Sequence, residues 1–276
     1  MSARLHVTRG VWRDVGDLSD DVARYAALLT VLPADAVLAG RTAAAVHRLW
    51  MPDRVGERIE VIAHGHAAEP RAHAHSERGE IRIRRRRLHP GEIVVAEGVP
   101  VTSLARTWVD LAEIFSLEDL VAAGDCALRA GATTAELEEC LSRAGRRRGV
   151  VRARAALHLL DRRSRSRPES HLRVGLVLRE LPAPEVNVPI VDDAGQWLAE
   201  PDLSWKDVRL ALEYNGRDHA RLGRMRRDIT REVDLGARGG WRTLTLGPVE
   251  VFRRMDQVAS VVRELRRTPG PRPVQW

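Results

Sequence analysis

The stretch EPDLSWKDVRLALEYNG, Glu200–Gly216, joins two predicted β-strands, WLAEPDLS and DVRLALEY, through a polar turn at Trp205–Lys206. Two apolar runs that meet at a tight polar turn predict an antiparallel pair. Each strand also carries a carboxylate, Asp202 in the first and Glu213 in the second. Residues that flank a turn face each other across such a pair, so we expect the two acids on one face of a sheet.

Two neighbouring carboxylates are unfavourable in a sheet, because like charges repel and burial removes their water. A divalent cation that both acids share would remove this cost. Mg²⁺ is usually held by one or two carboxylates with water and phosphate oxygens, and Mn²⁺ takes similar oxygen ligands. Such a cation can activate water and neutralise charge on a phosphate. The alternative is that each acid pairs with a nearby arginine.

A regular order of elements surrounds this strand pair. Pro168 precedes an amphipathic helix predicted over Glu169–Leu181, as at a first helical position. The Arg- and Ser-rich segment Asp161–Ser170 predicts a boundary between a domain over 1–163 and another over 164–276. The second domain should have the order α-β-β-β-α-β-α, from ESHLRVGLVLREL, EVNVPI, WLAEPDLS, DVRLALEY, LGRMRRDITREVDLGARG, WRTLTL and PVEVFRRMDQVASVVRELRR.

The first domain is predicted to be mixed α+β, mostly helical with a small sheet. RLHVTRGVWR alternates enough to form a strand or a wing-like hairpin. Ser103 and Ser116 are predicted N-caps. The predicted strands are RIEVIA, EIRIRRRRL and Val99–Thr102. The predicted helices are DDVARYAALLTVL, RTAAAVHRLW, the run after Ser103, SLEDLVAAGDCALRAG, TTAELEECLSRAG and a segment over 149–160.

The composition describes a globular protein with a core. Of 276 residues, 44% are hydrophobic and 30% charged, and the net charge is +7. Lys206 is the only lysine, so the basic groups are arginines, whose planar forks suit phosphate. Cys126 and Cys140 form no metal-type CxxC pair. With no signal peptide and no apolar run near 18 residues, we expect a cytoplasmic protein without a membrane segment.

The second half resembles a known nuclease fold. Glu169, Pro201–Asp202 and Glu213–Asn215, in this order of elements, are similar to the PD-(D/E)xK nuclease fold. The local pattern SRPES, PDLSW, ALEYNGRDH, RRDITRE and GWRTLTL resembles more narrowly the Vsr-like endonuclease domain of unknown function in actinobacterial proteins. The resemblance covers residues 164 to about 265 and implies a restriction-endonuclease-like core that hydrolyses DNA phosphodiesters with Mg²⁺ or Mn²⁺.

The first half resembles the region that precedes this domain in the same proteins, which is related to AbiEi-family antitoxins. The matching pieces are VTRGVWR, AGRTAAAVHRLW, VPVTSLARTWVDLA and AGDCALRAG. In such proteins a winged helix-turn-helix opens the chain. This sequence begins at what would be the wing, so we expect the helix-turn-helix to be truncated.

The nuclease resemblance implies roles for individual residues. Asp202 and Glu213 would hold the metal with Glu169, and His219 would shuttle a proton or contact phosphate. Asn215 stands where the family has Asp or, in its better-known members, Lys. The implied catalytic set is therefore Asp202, Glu213, Asn215, His219 and Glu169, and the implied DNA contacts are Arg217, Arg226 and Arg227.

Asn215 keeps a second reading open. Asn is neither a base nor a cation, so the domain could bind DNA without cleaving it, as an antitoxin-type regulator. A third reading is a protein that neutralises a toxin through its helical first half. Oligomeric state is not predicted.

Three other patterns have two readings each. The basic stretch Arg143–Arg167, with Arg146, Arg147 and Arg148, could contact nucleic acid or pair with Glu138 and Glu139. The run Arg84–Arg87 could lie on a solvated edge strand or contact phosphate. The HGH and HAH motifs could hold zinc or form a loop. We favour the loop, because the segment that links the two motifs is not rigid. The histidines of the motifs are His64, His66, His73 and His75.

Overall fold

The computed structural model describes residues 4–8, 11–14, 21–52, 58–63, 81–192, 194–216, 235–236 and 239–268. The chain divides into two compact units, Met1–His158 and Leu159–Trp276. The division lies five residues before the predicted boundary at 163/164. Both units combine helices with β-sheet, so the fold class is α+β. In the described part of the chain, no helix is long and apolar enough to cross a membrane.

The first unit contains a hairpin, a five-stranded sheet and six helices. The hairpin pairs β1 and β2 antiparallel, as one of the two predicted forms. The sheet has the order β5-β4-β3-β7-β6 and is larger than predicted. The strands are β1 Arg4–Thr8, β2 Val11–Asp14, β3 Ala36–Leu38, β4 Ile59–Ala63, β5 Ile81–Arg85, β6 Ile93–Ala96 and β7 Val99–Thr102. The helices are α1 Asp21–Leu29, α2 Gly40–Val46, α3 Leu104–Leu111, α4 Leu117–Arg129, α5 Thr134–Arg143 and α6 Val150–Leu157.

Local sequence signals fix where these helices begin. Ser103 accepts a hydrogen bond from the backbone N–H of Arg106, and Ser116 accepts one from that of Asp119, as predicted. Thr133 and Glu136 form a complete capping box at α5. Each cap satisfies backbone donors that the first helical turn leaves without partners.

A buried arginine lies at the centre of the first unit. Arg106 on α3 is fully buried, and its guanidinium contacts Glu92 at 2.8 Å and Asp110 at 3.0 Å. Removing one partner of such a pair leaves a buried charge without compensation, at a cost of about 3–5 kcal/mol. Burial by itself would raise the pKa of Glu92, but the backbone N–H of His89 and the charge of Arg106 outweigh it and hold the pKa below its ordinary value.

The arginine run of β5 extends this network. Alternate side chains share one side of a strand, and Arg84 and Arg86 both contact Glu113, at 2.7 and 2.5 Å. Arg86 also contacts Asp110 at 3.2 Å. β5 is an edge strand of the described sheet, and Arg86 and Arg87 follow it. The side chains of Arg84 and Arg86 are only 20% and 24% exposed, so this half of the run is not solvated, and phosphate contact by the run stays a prediction. Half of the run is committed to ion pairs within the protein.

The cysteines are free thiols. Burial, followed by the neighbouring Glu92 carboxylate, raises the pKa of Cys140 to about 12. Because the thiolate is the reactive form, Cys140 is unreactive near neutral pH.

In its described residues, the second unit packs three helices against one face of a four-stranded sheet with the order β13-β12-β11-β8. A two-stranded ladder, β9 with β10, lies between β8 and β11 in sequence. The strands are β8 Glu185–Val186, β9 Ile190–Val191, β10 Trp197–Ala199, β11 Leu203–Trp205, β12 Leu210–Tyr214 and β13 Arg242–Leu246. The helices are α7 Arg167–Val177, α8 Pro248–Arg253 and α9 Met255–Arg267.

The predicted strands EVNVPI and WLAEPDLS are each divided in two. Asn187 has φ +49°, a left-handed conformation that interrupts the first between β8 and β9. Pro201, which has no backbone N–H to donate, separates β10 from β11. The closing helix is also divided, at Arg254 between α8 and α9. The N-cap of α7 is Ser166, so Pro168 lies at the second helical position and not at the first.

Gly149 offers a test of the packing in the first unit. It has φ +88°, and a β-carbon there would overlap the backbone carbonyl of Ala112. Gly145 also has positive φ, +62°, but a β-carbon there would point into open space. We expect Gly145→Ala to lower the free energy of unfolding by about 1–2 kcal/mol, the cost of the left-handed backbone alone. Gly149→Ala should cost clearly more in urea denaturation; equal losses would contradict the close approach.

The ion network predicts a loss of stability in acid. Burial alone would raise the pKa of Glu113, but its hydrogen bonds and ion pairs with Arg86 and Arg84 outweigh it and lower the pKa. A carboxylate with a lowered folded-state pKa stabilises the protein above its unfolded value, about 4.3, and loses this contribution as the pH falls through the folded value. We expect Glu113→Gln to reduce the fall in the free energy of unfolding between pH 5 and pH 3. Glu138→Gln, at an exposed position, is the control and should keep the wild-type slope.

Candidate functional site

The second unit brings Asp202 and Glu213 to the same edge of its sheet. The antiparallel register pairs Leu203 with Leu212 and Trp205 with Leu210. Continuing it by one residue places Asp202 opposite Glu213. Opposite residues of an antiparallel pair have Cα atoms about 4.5–5.5 Å apart and point to the same side. The predicted turn at Trp205–Lys206 is displaced, because Trp205 ends β11 and a short 3₁₀ turn follows over Lys206–Val208. The two acids lie opposite each other in this extended register, and their sharing of a cation stays a prediction.

The two acids lie on the side of the sheet that faces away from the three helices. Leu203, Trp205 and Leu212 belong to the apolar core under those helices, so the residues between them point to the other side. Ala211, on that other side, packs in a separate apolar cluster with Trp241 and four further residues, Ile190, Leu198, Ala199 and Leu235. The apolar cluster covers one end of this side, and Asp202 and Glu213 occupy the other, both half-buried.

This edge is also where two parallel strands end. β12 and β13 run parallel, and Glu213 pairs with Thr245 in their register. Carboxyl ends of parallel strands are the common place for ligands in open sheets. Asn215 follows β12 directly, its backbone N–H donates to Leu246 at 2.8 Å, and its side chain is exposed. Asn215 thus lies at the same edge of the sheet as Asp202 and Glu213.

Glu169 reaches the region from the first turn of α7. It is buried, and its carboxylate accepts hydrogen bonds from the hydroxyl of Ser166 at 2.8 Å and the backbone N–H of Arg165 at 2.8 Å. A third donor, the side-chain amide of Asn187, contacts the oxygen Oε2 at 2.9 Å. Glu169 therefore caps its own helix. An ionised carboxylate offers about four acceptor positions, and three are in use.

Asn187 is a residue that the sequence analysis missed. Its side-chain nitrogen donates to Glu169 and to the backbone carbonyl of Arg163, both at 2.9 Å. Its backbone N–H donates to the carbonyl of Asp202 at 3.0 Å. The sequence signal that could have found it is an Asn inside an apolar run, because Asn tolerates the left-handed conformation better than other side chains.

The segment before Asp202 is tied to the same elements. The guanidinium of Arg165 forms an ion pair with Glu200. The carboxylate of Asp202 accepts the backbone N–H of Tyr214 at 2.7 Å, which fixes it against the end of β12. Burial raises the pKa of Tyr214, and the charge of Arg167 opposes this. The positions of the three predicted acids are thus fixed within the second unit. Hydrogen bonds fix Glu169 and Asp202, and the strand register of β12 fixes Glu213.

The donor set fits a two-carboxylate cation site better than a three-carboxylate site. Among the residues the structure describes, no three His, Cys, Asp or Glu side chains group so as to hold a metal. Asp202 and Glu213 are opposite each other at one edge of the sheet. In contrast, most acceptor positions of the Glu169 carboxylate are occupied by donors from the start of its own helix and from Asn187. One or two carboxylates are the usual protein share of a Mg²⁺ site. Asp202 and Glu213 match that number of carboxylates, and their binding of Mg²⁺ or Mn²⁺ stays a prediction. Glu169, with three of its acceptor positions in use, is less suited to be a third ligand.

Several predicted residues lie outside the described ranges: His219, Arg217, Arg226, Arg227 and the four histidines His64, His66, His73 and His75. Of the predicted contacts in the first unit, Arg146 and Arg148 are exposed. Arg147 contacts Asp110 at 3.4 Å. It belongs to the ion network around Arg106.

Comparison with known proteins adds relatives without an assigned activity. Two curated proteins, from two strains of Mycobacterium tuberculosis and both named uncharacterized protein, are similar to this chain. Each is 34% identical over 171 residues, which is 61% of this chain and 57% of the relative. The match thus spans just over half the length of those relatives. No family model matches the chain, and no solved structure matches it significantly.

Proposed function

We propose that the second unit is a metal-dependent endonuclease-like domain that hydrolyses phosphodiester bonds in DNA. The observation that carries this proposal is the placement of Asp202 opposite Glu213, both half-buried, where the parallel strands β12 and β13 end. Two carboxylates in such a place need a cation or a donor to offset their repulsion. The backbone N–H of Tyr214 supplies one donor to Asp202, and in this proposal a cation bound by both acids offsets the rest of the repulsion.

The order of elements supports assignment to the PD-(D/E)xK fold. α7, β8, β11, β12, β13 and α8 follow one another in the predicted order, with β9 and β10 inserted as an extra ladder. The predicted helix between β12 and β13 falls mostly in residues outside the described ranges. The Vsr-like assignment depends on the sequence pattern alone.

Asp202 and Glu213 would hold the cation, and Glu169 would orient the group around it. A bound Mg²⁺ or Mn²⁺ supplies a water of lowered pKa and neutralises charge on the phosphate under attack. Glu169 keeps about one acceptor position, which would be available to a further hydrogen-bond donor at the site. His219 would move a proton or contact phosphate, on the sequence resemblance alone. The DNA backbone would lie on the side of the sheet that faces away from the helices and carries Asp202 and Glu213.

Exposed arginines supply the DNA contacts in this proposal. Arg146 and Arg148 lie in the loop between α5 and α6, and their exposure suits contact with phosphates. Arg217, Arg226 and Arg227 remain predictions from the sequence. We do not include Arg147 in the DNA surface, because Asp110 and the neighbouring network hold it.

One observation favours a second candidate, a DNA-binding antitoxin-type regulator with little or no turnover. Asn215 occupies the position at which the family has Asp or Lys, and the only lysine, Lys206, contacts Glu185 at 3.2 Å. Neither residue supplies the missing acid, base or cation. A protein that binds DNA but does not nick plasmid would favour this candidate. A regulator of this type would also have a protein partner such as a toxin.

Plasmid nicking tests the nuclease. We expect nicking of supercoiled DNA with Mg²⁺ or Mn²⁺, and a rate lower by more than about 100-fold in Asp202→Asn and Glu213→Gln, because loss of a ligand should cost at least as much as loss of an outer partner. Glu185→Gln is the matched control, since Glu185 lies on the same sheet but pairs with Lys206. Equal nicking by all variants would refute the site, and no nicking by the wild type would refute the enzyme.

Salt dependence of DNA binding tests the arginines. Each phosphate contact contributes about 0.9 to the slope of log K against log salt. We expect the double variant Arg146→Gln with Arg148→Gln to lower this slope by about 1.8 and to leave the free energy of unfolding unchanged. Arg147→Gln should instead lower the free energy of unfolding and leave the slope of log K against log salt unchanged, because the partner of Arg147 is Asp110. The reverse pattern would place Arg147 on the DNA surface.

A further inference from the structure

Asn187 joins the parts of the chain that carry two of the three acids, Glu169 and Asp202. Its side-chain amide contacts Glu169 on α7 and the carbonyl of Arg163 before that helix. Its backbone N–H contacts the carbonyl of Asp202 at the start of β11. One residue therefore links the helix that supplies one acid to the strand that supplies another.

The left-handed backbone conformation of Asn187 suits glycine better than asparagine, so we infer that the asparagine side chain has a role of its own. At φ +49° a glycine would be the least strained residue, because it has no β-carbon. Asn is tolerated there but is still less favourable than glycine. Four other described non-glycine residues have positive φ, and they are Arg48, Glu97, Glu180 and Arg209. Asn187 differs from these in contacting a predicted site residue through its side chain.

The orientation of the amide follows from its partners. The carboxylate of Glu169 and the carbonyl of Arg163 are both acceptors, so the NH₂ group must face them and uses both hydrogens. The amide thus holds Glu169 at a fixed distance from the Asp202 backbone. An acid in the first turn of a helix would otherwise be free to choose other rotamers.

We propose that Asn187 is a positioning residue of the metal site, which acts by fixing Glu169 relative to the backbone of Asp202. This inference rests on the proposed function, because it assigns the residue to the site that Asp202 and Glu213 form. It acts through Glu169 and touches neither cation nor DNA. Outer partners that orient a metal site typically change metal affinity by about 10–100-fold when they are lost.

The test is Asn187→Gly in the full chain, with Mn²⁺ as the probe. Glycine adopts the same backbone conformation and removes only the amide. We expect the Mn²⁺ concentration for half-maximal thermal stabilisation, and for half-maximal plasmid nicking, to rise at least about 10-fold. The unfolding temperature without metal should stay close to that of the wild type.

Glu180→Gly is the matched control. Glu180 is exposed and also has positive φ, +61°, but lies just after α7, at the end of that helix away from Glu169. It should leave the Mn²⁺ dependence unchanged. Glu169→Gln combined with Asn187→Gly should weaken metal binding no more than the stronger single variant, because both changes act through the same contact.

The outcomes separate this inference from the proposed function. An unchanged Mn²⁺ dependence in Asn187→Gly, with nicking retained, overturns the positioning role and leaves the nuclease intact. A variant that unfolds without metal shows a purely structural role and also overturns it. A wild-type protein that Mn²⁺ stabilises without nicking refutes the enzyme, while the stabilisation assay still tests Asn187. No stabilisation and no nicking by the wild type refutes both.

Discussion

The antiparallel register between β11 and β12 is the constraint on which the second unit depends. It pairs Leu203 with Leu212, so the apolar side chains of both strands enter the core under the three helices. The same register sends Asp202 and Glu213 to the opposite side. Because side chains alternate along a strand, a slip of one residue would bury the acids and expose the leucines. The cost of that exchange fixes the site as firmly as it fixes the core.

Buried carboxylates are held differently in the two units. In the first unit, arginines neutralise buried acids, as Arg106 does between Glu92 and Asp110. In the second unit, the acid Glu169 is held by neutral donors, the Ser166 hydroxyl, a backbone N–H and the Asn187 amide. Neutral donors orient a carboxylate without cancelling its charge. An acid held in this way can still contribute negative charge to a cation site, which a carboxylate paired with arginine does far less.

The sequence anticipated the elements whose signals are local. Ser103 and Ser116 are caps as predicted. The antiparallel pairing of β11 and β12 was also expected, although the turn lies at Lys206–Val208 and not at Trp205–Lys206. The sequence missed the short strands β3 and β6, because three or four residues show little periodicity and depend on neighbours distant in sequence. It missed the ion pair of Arg147 with Asp110 for a related reason, since the two residues are 37 positions apart.

The sequence by itself determined the α+β class and the helix starts after Ser103 and Ser116, because caps act between residues close in the chain. The tertiary structure alone decided which charges are committed to the fold. It joined Glu169 to Asn187, 18 residues away, and Asn187 to Asp202, which no periodicity encodes. Hydrogen bonds between distant segments depend on packing that places donor and acceptor within about 3 Å, and only the folded chain provides that distance.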